Sequence, residues 1–246
     1  MKRFAVISDV HANLPALEAV LDRIKQQEVN AILNLGDFIG YGAFPGQVIE
    51  RLGHPGIISI IGNYDEKVLR WEEKREAWKT RKAPQKWLAF DWAFRNLSES
   101  NKKFLQALPR KRHISAEGWR ILMVHGSPES HSEHLGPATP EERFLELNRM
   151  THASLVLCGH SHLPFVRQAD ATWHVNSGSV GRPDDGDPRA SFAVIQVEVG
   201  NIQVEHIRLE YDVERTVTAI RQAGLPEEFA QMAILGKNLG AIQGED

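Results

Sequence analysis

Short apolar runs recur along the first two-thirds of the chain, and each is followed by a polar residue or a glycine. They cover residues 4–8, 31–35, 57–61, 121–124 and 155–158. Runs of this length that are rich in β-branched residues and bounded by turn signals are typical of buried strands. The pattern therefore predicts five buried strands.

A helical pattern separates the first two runs. Leu14, Leu17, Leu21 and Ile24 recur at helical spacing, and Asn13 precedes them as a predicted N-cap. The first half of the chain thus has the order strand, helix, strand, helix, strand. This order favours a sheet with parallel crossover connections, and so an α/β fold.

Residues 66–108 depart from this pattern, because charged residues and tryptophans dominate there. Pro84 predicts a boundary between two helices, and a further helix over 101–108 should end at Pro109. We expect a helical insertion or cap on the sheet, within a single domain that spans residues 1–246.

The first part of this insertion has two interpretations. Residues 67–86 are locally basic and contain Trp71 and Trp78, a combination that occurs in surfaces that stack on nucleic-acid bases. The two tryptophans are seven residues apart, however, and so lie on one face of a helix. We favour the plainer interpretation, in which they are buried under a solvated charged face.

The last third begins with a loop and ends with a hairpin. The Gly-, Pro- and Asp-rich residues 176–188 are predicted to form the loop. Two strands over 191–199 and 202–209 follow, and Gly200-Asn201 between them is a hairpin signal.

Composition limits the possible functions. A net charge of −3 gives no overall attraction to nucleic acid or anionic lipid, so we expect neither as a partner. The single cysteine, Cys158, cannot form an intramolecular disulfide and fits a reducing compartment. No stretch approaches the ~18 uncharged apolar residues of a membrane helix, and the first apolar run is shorter than a signal-peptide core. We expect a cytoplasmic protein.

Each of the five predicted strands is followed by a candidate metal ligand. These residues are Asp9 and His11, Asp37, Asn63, His125, and the pair His160 and His162. Ligands of open α/β sheets bind outside the carboxyl ends of the strands, so side chains at those ends can converge. Singly, each has a simpler explanation, such as a turn or a buried histidine; together they predict a metal site.

The chemistry of this set favours two cations. Imidazole nitrogens with carboxylate and amide oxygens suit Mn²⁺, Fe, Zn²⁺, Co²⁺ or Ni²⁺, and among these we favour manganese. Seven ligands exceed the needs of one tetrahedral ion, but suit two ions that share a carboxylate. With Asp9, Asp37 and a bridging hydroxide, two divalent cations leave a charge of about +1, which attracts a phosphate group.

These motifs resemble those of the calcineurin-like metallophosphoesterase superfamily, in its small bacterial and archaeal branch. The resemblance covers residues 9–162 and also the loop that begins at Asn176. It implies a four-layer α/β/β/α sandwich of two mixed sheets flanked by helices. It also implies ligand roles: Asp9, His11 and His162 for one metal, Asn63, His125 and His160 for the other, and Asp37 as the bridge.

One position departs from the superfamily pattern. Many members have a histidine after Gly-Asn, as the proton donor to the leaving alcohol, whereas this chain has Tyr64 after Asn63. A tyrosine with a pKa near 10 is a slow acid at neutral pH, so we expect Tyr64 to pack over the site or stack on a nucleobase. This predicts a preference for aryl esters or phosphoanhydrides. The alternative donors are His131 and His134.

The loop over residues 176–188 contains further candidates. Arg182 and the backbone at Gly178 are expected to contact substrate phosphate, with a flexible turn as the alternative interpretation. Arg189 is expected to form a salt bridge with Asp185 or Asp187 that orders the loop.

The sequence therefore predicts a hydrolase of small-molecule phosphomonoesters or phosphodiesters, and we favour nucleotide-like substrates. A metal-bridging hydroxide would attack phosphorus, with Asp37, Asn63 and His125, and with Tyr64 as a further candidate, as the catalytic residues. The alternative is a non-catalytic metal-binding scaffold, since the retromer scaffold subunit of the superfamily also lacks the usual histidine. The sequence does not determine the substrate, the metal or the oligomeric state.

Overall fold

Two five-stranded sheets form the centre of the protein in a computed structural model that describes residues 1–244. The strands are β1 (Lys2–Ile7), β2 (Ala31–Asn34), β3 (Ile57–Ser59), β4 (Lys111–Ala116), β5 (Trp119–Val124), β6 (Leu155–Cys158), β7 (Phe165–Ala169), β8 (Thr172–Asn176), β9 (Ala190–Glu198) and β10 (Asn201–Leu209). The first sheet has the order β10-β9-β1-β2-β3, and the second has the order β4-β5-β6-β8-β7.

Helices lie against the sheets and fill the long connections. They are α1 (Leu14–Lys25), α2 (Pro45–Leu52), α3 (Asn63–Leu69), α4 (Trp71–Lys79), α5 (Pro84–Arg95), α6 (Glu99–Gln106), α7 (Glu141–Arg149), α8 (Val213–Gln222), α9 (Glu227–Leu235) and α10 (Leu239–Gln243). None of the helices in residues 1–244 combines the length and the apolar character that crossing a membrane would require.

Both sheets are mixed. Strands β1, β2 and β3 are parallel, as the alternating strands and helices of the first half predict, whereas β9 pairs antiparallel with β1 and β10. In the second sheet β5, β6 and β8 are parallel, and the outer strands β4 and β7 are antiparallel to their neighbours. The parallel strands place several carboxyl ends at the same edge of each sheet.

The alternation of side chains along the strands creates the layers. On β1, Phe4 and Val6 point into a core shared with Ile121 and Met123 of the second sheet. The intervening side chains of β1 point the other way, into a core with α1 and α2. Because successive strand residues face opposite sides, each buried strand serves two cores. The predicted four-layer α/β/β/α sandwich is confirmed.

Helices α4 to α6 of the insertion pack on the first sheet. Trp71, Phe90 and Leu105 belong to the same buried cluster as Ile7 of β1. The rings of Trp71 and Trp78 lie 6.2 Å apart on one face, with Trp71 buried and Trp78 half-buried. The single domain over 1–246 stays a prediction, and its last two residues lie outside the described part.

The apolar pattern missed several elements. Strands β4 and β7 and helices α7 to α10 were not predicted. The strand predicted over 57–61 is shorter than expected, because β3 ends at Ser59 and the next residues bend toward α3. The hairpin of β9 and β10 is present, and Gly200 in its turn has a φ of 72°.

Candidate metal centre

The predicted ligand residues meet at one edge of the sandwich, between the two sheets. The first sheet supplies the residues after β1, β2 and β3, and the second supplies those after β5 and β6. Ligand atoms of Asp9, His11 and His162 all lie within 4.8 Å of one another, and so do those of Asp37, His125 and His160. Residues up to 153 positions apart in sequence therefore form two neighbouring groups.

The backbone at these positions is unusual. Asp9, His11, Asp37, His160 and His162 have φ angles of 54°, 48°, 53°, 65° and 60°, in the left-handed region that side-chain-bearing residues seldom adopt. Such conformations cost free energy and persist where the surrounding structure enforces them, as at functional sites. Five of the seven predicted ligands have this left-handed conformation. The conformation supports a functional site on grounds other than the sequence motifs.

Close approach of the loops enforces this geometry. A Cβ on Gly62 would lie 2.0 Å from the backbone N and 2.1 Å from Oδ1 of Asp37, so only glycine fits there. The Asp65 carboxylate then joins the two loops, because it accepts hydrogen bonds from the backbone N–H groups of Gly62 (2.9 Å), Asp37 (3.0 Å) and Ile39 (3.3 Å). Burial, and then the nearby Asp37, raise the pKa of Asp65 to about 8.

Three of the histidines have a fixed orientation. Each donates its Nδ1–H to a backbone carbonyl: His11 to Ile39 (3.2 Å), His125 to Leu35 (2.8 Å) and His162 to Arg182 (2.6 Å). A histidine held in this way presents the lone pair of Nε2 in the opposite direction, and metal-ligating histidines are usually held so. All three Nε2 atoms face the centre.

The atoms of the first group fit a cation. The Nε2 atoms of His11 and His162 are 3.3 Å apart, and Nε2 of His162 is 3.1 Å from Asp9 Oδ1. Nitrogen and oxygen ligands ~2.1 Å from one metal lie roughly 3 to 3.5 Å apart. Asp9 Oδ1 is buried and accepts no hydrogen bond among the described residues. Facing lone pairs of this kind require protons or a metal cation between them.

The second group adjoins the first through Asp37. Oδ2 of Asp37 is 3.4 Å from Nε2 of His125 and 3.8 Å from Nε2 of His11. Oδ1 of Asn63 is 3.1 Å from Nε2 of His125, and the ring of His160 lies 5.1 Å from the ring of His125. Asp37 is thus placed where one carboxylate can contact cations in both groups.

The cluster is charged at neutral pH. Burial raises the pKa values of Asp9 and Asp37, but the adjacent histidines outweigh burial and hold both pKa values well below the usual range. Burial lowers the pKa values of His125 and His162, but the carboxylates raise each of them to about 9. Two buried carboxylates therefore face two imidazoles that readily carry positive charge.

The remaining two histidines are neutral. Burial lowers the pKa values of His11 and His160 to about 3, and the nearby cations Arg182 and His125 add to the effect. A neutral imidazole is the form that binds a metal. The donor set of oxygens and imidazole nitrogens therefore fits divalent transition metals.

The sequence profile of the Calcineurin-like phosphoesterase superfamily domain matches residues 1–200. The chain belongs to this superfamily. A related uncharacterised protein of Methanocaldococcus jannaschii is 31% identical, over 95% of this chain and 98% of that protein.

Two further relatives of this chain have more informative names. The phosphodiesterase YfcE of Escherichia coli K12 is 28% identical, over 81% of this chain and 90% of that protein. The crystal structure of a metallophosphoesterase from Sphaerobacter thermophilus is 31% identical and has a TM-score of 0.78, over 96% of this chain and 99% of that chain.

Tyr64 packs over the first group of ligands. Its ring lies edge-on, 5.2 Å from the ring of His11, and its hydroxyl is 2.5 Å from that of Tyr41. Burial, and then the neighbouring Tyr41, raise the pKa of Tyr64 well above its usual value. Tyr64 is therefore an even weaker acid than a free tyrosine.

Both alternative proton donors lie beside the second group. The ring of His131 is 5.5 Å from that of His125, and the ring of His134 is 4.3 Å from that of His160. His131 Nε2 is buried, 3.8 Å from a carboxylate oxygen of Glu66. The structure thus brings both histidines to the centre.

Arg182 lies on the other side of the centre. Its guanidinium donates to Asp184 (2.9 Å) and lies over the ring of Tyr41, 4.7 Å from the ring centre. Asp184 Oδ2 is also 3.3 Å from Nδ1 of His162. The sequence interpretation missed Asp184, although it lies in the aspartate-rich loop that drew attention.

Two other predictions for this loop have different outcomes. Gly178 is buried, and a Cβ there would lie 2.5 Å from Ser191 Oγ, so its position shows close packing; that it binds substrate stays a prediction. Arg189 forms a salt bridge with Asp187 (2.6 Å), whereas Asp185 pairs with Arg208.

Proposed function

We propose that this protein is a binuclear metal-dependent phosphoesterase that hydrolyses phosphomonoesters or phosphodiesters of small, nucleotide-like molecules. The observation that carries the proposal is the position of Asp37, whose Oδ2 lies between His11 in one ligand group and His125 in the other. Two divalent cations at this centre would supply a hydroxide nucleophile at neutral pH and stabilise charge on the phosphoryl oxygens.

The residues divide the binding of the cations between them. Asp9, His11 and His162 would hold one, Asn63, His125 and His160 would hold the other, and Asp37 would contact both. The hydrogen bonds from Nδ1 of three of the histidines support these roles, because they keep Nε2 directed at the centre. Among the metals that suit this donor set, we propose manganese.

Hydrolysis of a phosphodiester is supported by a relative. YfcE, which matches most of this chain, is named a phosphodiesterase. We extend this activity to the present protein, with aryl esters or phosphoanhydrides as favoured substrates, because the raised pKa of Tyr64 makes it a poor proton donor to an alkoxide. His131 and His134 are the proposed alternative donors, and Arg182 is a proposed substrate contact.

The first test is hydrolysis of bis(p-nitrophenyl) phosphate by the Mn²⁺-loaded full chain. We expect turnover that disappears with a chelator and returns with Mn²⁺. Asp37→Ala should lower kcat by more than about 100-fold and bind less than two equivalents of metal, because the contact shared by both groups is lost. Asp22→Ala, which removes an exposed carboxylate of α1, is the matched control and should behave as the wild type.

Two outcomes would decide against the proposal. Near-normal turnover in a folded, metal-depleted Asp37→Ala protein would refute the binuclear mechanism. A wild-type protein that binds two cations and hydrolyses no phosphate ester would instead support the non-catalytic scaffold.

A further inference from the structure

A large cleft opens beside the metal centre. It has a volume of about 640 Å³, and Asn63 and His131 are among the residues that line it. Its walls come from the insertion and from the segment that precedes β4. The described side chains that line it include four cations but one acid: Lys67, Arg70, Lys82 and Arg110, with Glu66.

Two of the four cations are already paired. Arg110 donates two hydrogen bonds to Glu66, at 2.5 and 2.8 Å. The one carboxylate that lines the cleft is therefore already paired with Arg110. Arg70 lies 3.3 Å from the exposed Glu73. The cleft therefore keeps its excess of positive charge on its two lysines.

Lys67 and Lys82 have no such partner. Within residues 1–244, neither forms an ion pair with a carboxylate. They face aromatic rings instead: Lys67 Nζ is 4.8 Å from the ring centre of Tyr64, and Lys82 Nζ is 5.0 Å from that of Trp78. An ammonium group that is partly withdrawn from water is stabilised when an anion binds beside it.

The electrostatics agree with this arrangement. Burial lowers the pKa of Lys67, the nearby Lys82 and Lys86 lower it further, and Asp37 and Glu66 oppose them. Burial and Lys86 also lower the pKa of Lys82. The positive charges of these lysines repel one another, and a bound anion would relieve this repulsion.

The position of the cleft connects it to the reaction centre. Lys67 Nζ lies over the face of the Tyr64 ring, and the same ring packs against His11 in a T-shaped arrangement. Asn63, a proposed ligand, also lines the cleft. A substrate whose scissile phosphorus lies at the centre can therefore extend past Tyr64 to the two lysines.

We propose that this cleft is a subsite for a second phosphate, so that the preferred substrate is a nucleotide-like ester with another phosphate beyond the scissile one. The second phosphate would lie between Lys67 and Lys82. A terminal phosphate carries a charge of about −1.5 to −2 at pH 7, which matches two ammonium groups better than a carboxylate does. The inference rests on the proposed function and specifies the substrate for it.

The test compares two esters with the same scissile bond and leaving group. They are thymidine 5′-(p-nitrophenyl phosphate) and the same compound with a 3′-phosphate. We expect the Mn²⁺-loaded wild type to have the higher kcat/KM for the 3′-phosphorylated ester. The double variant Lys67→Met, Lys82→Met should lower the ratio of the two kcat/KM values on the order of tenfold, because two charge-assisted hydrogen bonds are lost.

Two controls accompany this experiment. Lys79→Met removes an exposed lysine of α4 that does not line the cleft, and it should keep the wild-type ratio. Lys67→Arg with Lys82→Arg keeps both charges and should retain most of the preference. Thermal unfolding midpoints and metal content establish that all variants are folded and loaded.

Binding provides a second readout that does not need turnover. The subsite predicts that the wild type binds thymidine 3′,5′-bisphosphate more tightly than thymidine 5′-monophosphate, and that the double Met variant does not. Equal ratios in wild type and double variant, or no wild-type preference in either readout, would overturn the subsite and leave the phosphoesterase intact. Failure to hydrolyse either ester, with the binding preference present, would refute the proposed function and support the subsite.

Discussion

Asp37 contributes to this centre through its backbone and both of its carboxylate oxygens, as well as being a possible metal ligand. Its φ of 53° turns the chain so that Oδ2 faces the histidines while the backbone N–H donates to Asp65. Oδ1 is used as well, because it accepts a hydrogen bond of 2.7 Å from the backbone N–H of Tyr64. In the Asp37 carboxylate, Oδ1 therefore holds the backbone of Tyr64 in place, and Oδ2 is available to bind metal.

Tyr64→Phe and Tyr64→His test the leaving-group argument. In Tyr64→His an imidazole stands where the superfamily has its proton donor. We expect roughly 100-fold faster hydrolysis of an alkyl ester such as thymidine 5′-(methyl phosphate), with little change for the p-nitrophenyl ester, because only the alkoxide needs protonation. Steady-state kinetics of both esters with Mn²⁺ measure the difference.

The phenylalanine variant is the control for this experiment. Tyr64→Phe keeps the ring against His11 and removes only the hydroxyl that contacts Tyr41, so it should give no gain with the alkyl ester. If Tyr64→His accelerates both esters equally, the proton-donor explanation is wrong.

At this scale, the sequence identified the positions of the candidate ligands but not what holds them. Asp9 and Asp37 could be recognised because each follows a short apolar run. The carbonyls of Leu35 and Ile39, which orient two of the histidines, have no sequence signal, since any residue supplies a carbonyl. Only the folded backbone shows which carbonyl meets which imidazole.

Among the elements, the buried strands were predictable and the edge strands were not. Strands β1 and β6 are apolar on both faces because each is covered on both sides. Strand β4 (Lys111–Ala116) is largely exposed and lies at the edge of the second sheet, and its apolar signal is limited to Ile114 and Ala116, which pack against the core between the sheets. Its pairing with β5 comes from backbone hydrogen bonds, which composition does not reveal.

His174 connects β8 to α7 and predicts a pH dependence of stability. Its Nε2–H donates to Asn148 of α7 (2.8 Å), its ring lies 4.8 Å from Phe144, and Nδ1 is buried without a partner among the described residues. Burial lowers the pKa of His174 from 6.5 to about 4. The folded protein thus keeps this imidazole neutral over a range in which the unfolded chain binds a proton.

The contribution of His174 to stability should consequently be complete above pH 6.5 and decrease as the pH falls toward 4. The loss from His174 is at most about 3 kcal/mol in the free energy of unfolding. Urea unfolding of the chelator-treated protein at several pH values measures it. His174→Gln keeps a donor to Asn148 and should flatten this part of the profile, whereas His113→Gln, at an exposed position of β4, should not. Identical profiles for wild type and His174→Gln would contradict the assignment.

For the whole molecule, the centre is a junction between the two sheets. Asp9, His11, Asp37 and Asn63 follow strands of the first sheet, and the other three proposed ligands follow strands of the second. The order of strands and helices in the sequence predicted that these residues lie at strand ends. The placement of one sheet against the other depends instead on the core that β1 and β5 share. Bound cations would therefore connect the sheets where no shared strand does.

Metal should accordingly stabilise the entire fold. A cation that binds the folded chain alone adds about 2.7 kcal/mol when its free concentration is 100 times Kd. We expect Mn²⁺ to raise the unfolding midpoint of chelator-treated wild type and of Asp22→Ala by similar amounts, and that of Asp37→Ala by much less. Calorimetric scans over a Mn²⁺ series measure this without any substrate. Because both sheets supply ligands, the shift should appear in one cooperative transition. A shift confined to a separate, partial transition would mean that one sheet alone holds the cations. The metal centre would then not connect the two sheets.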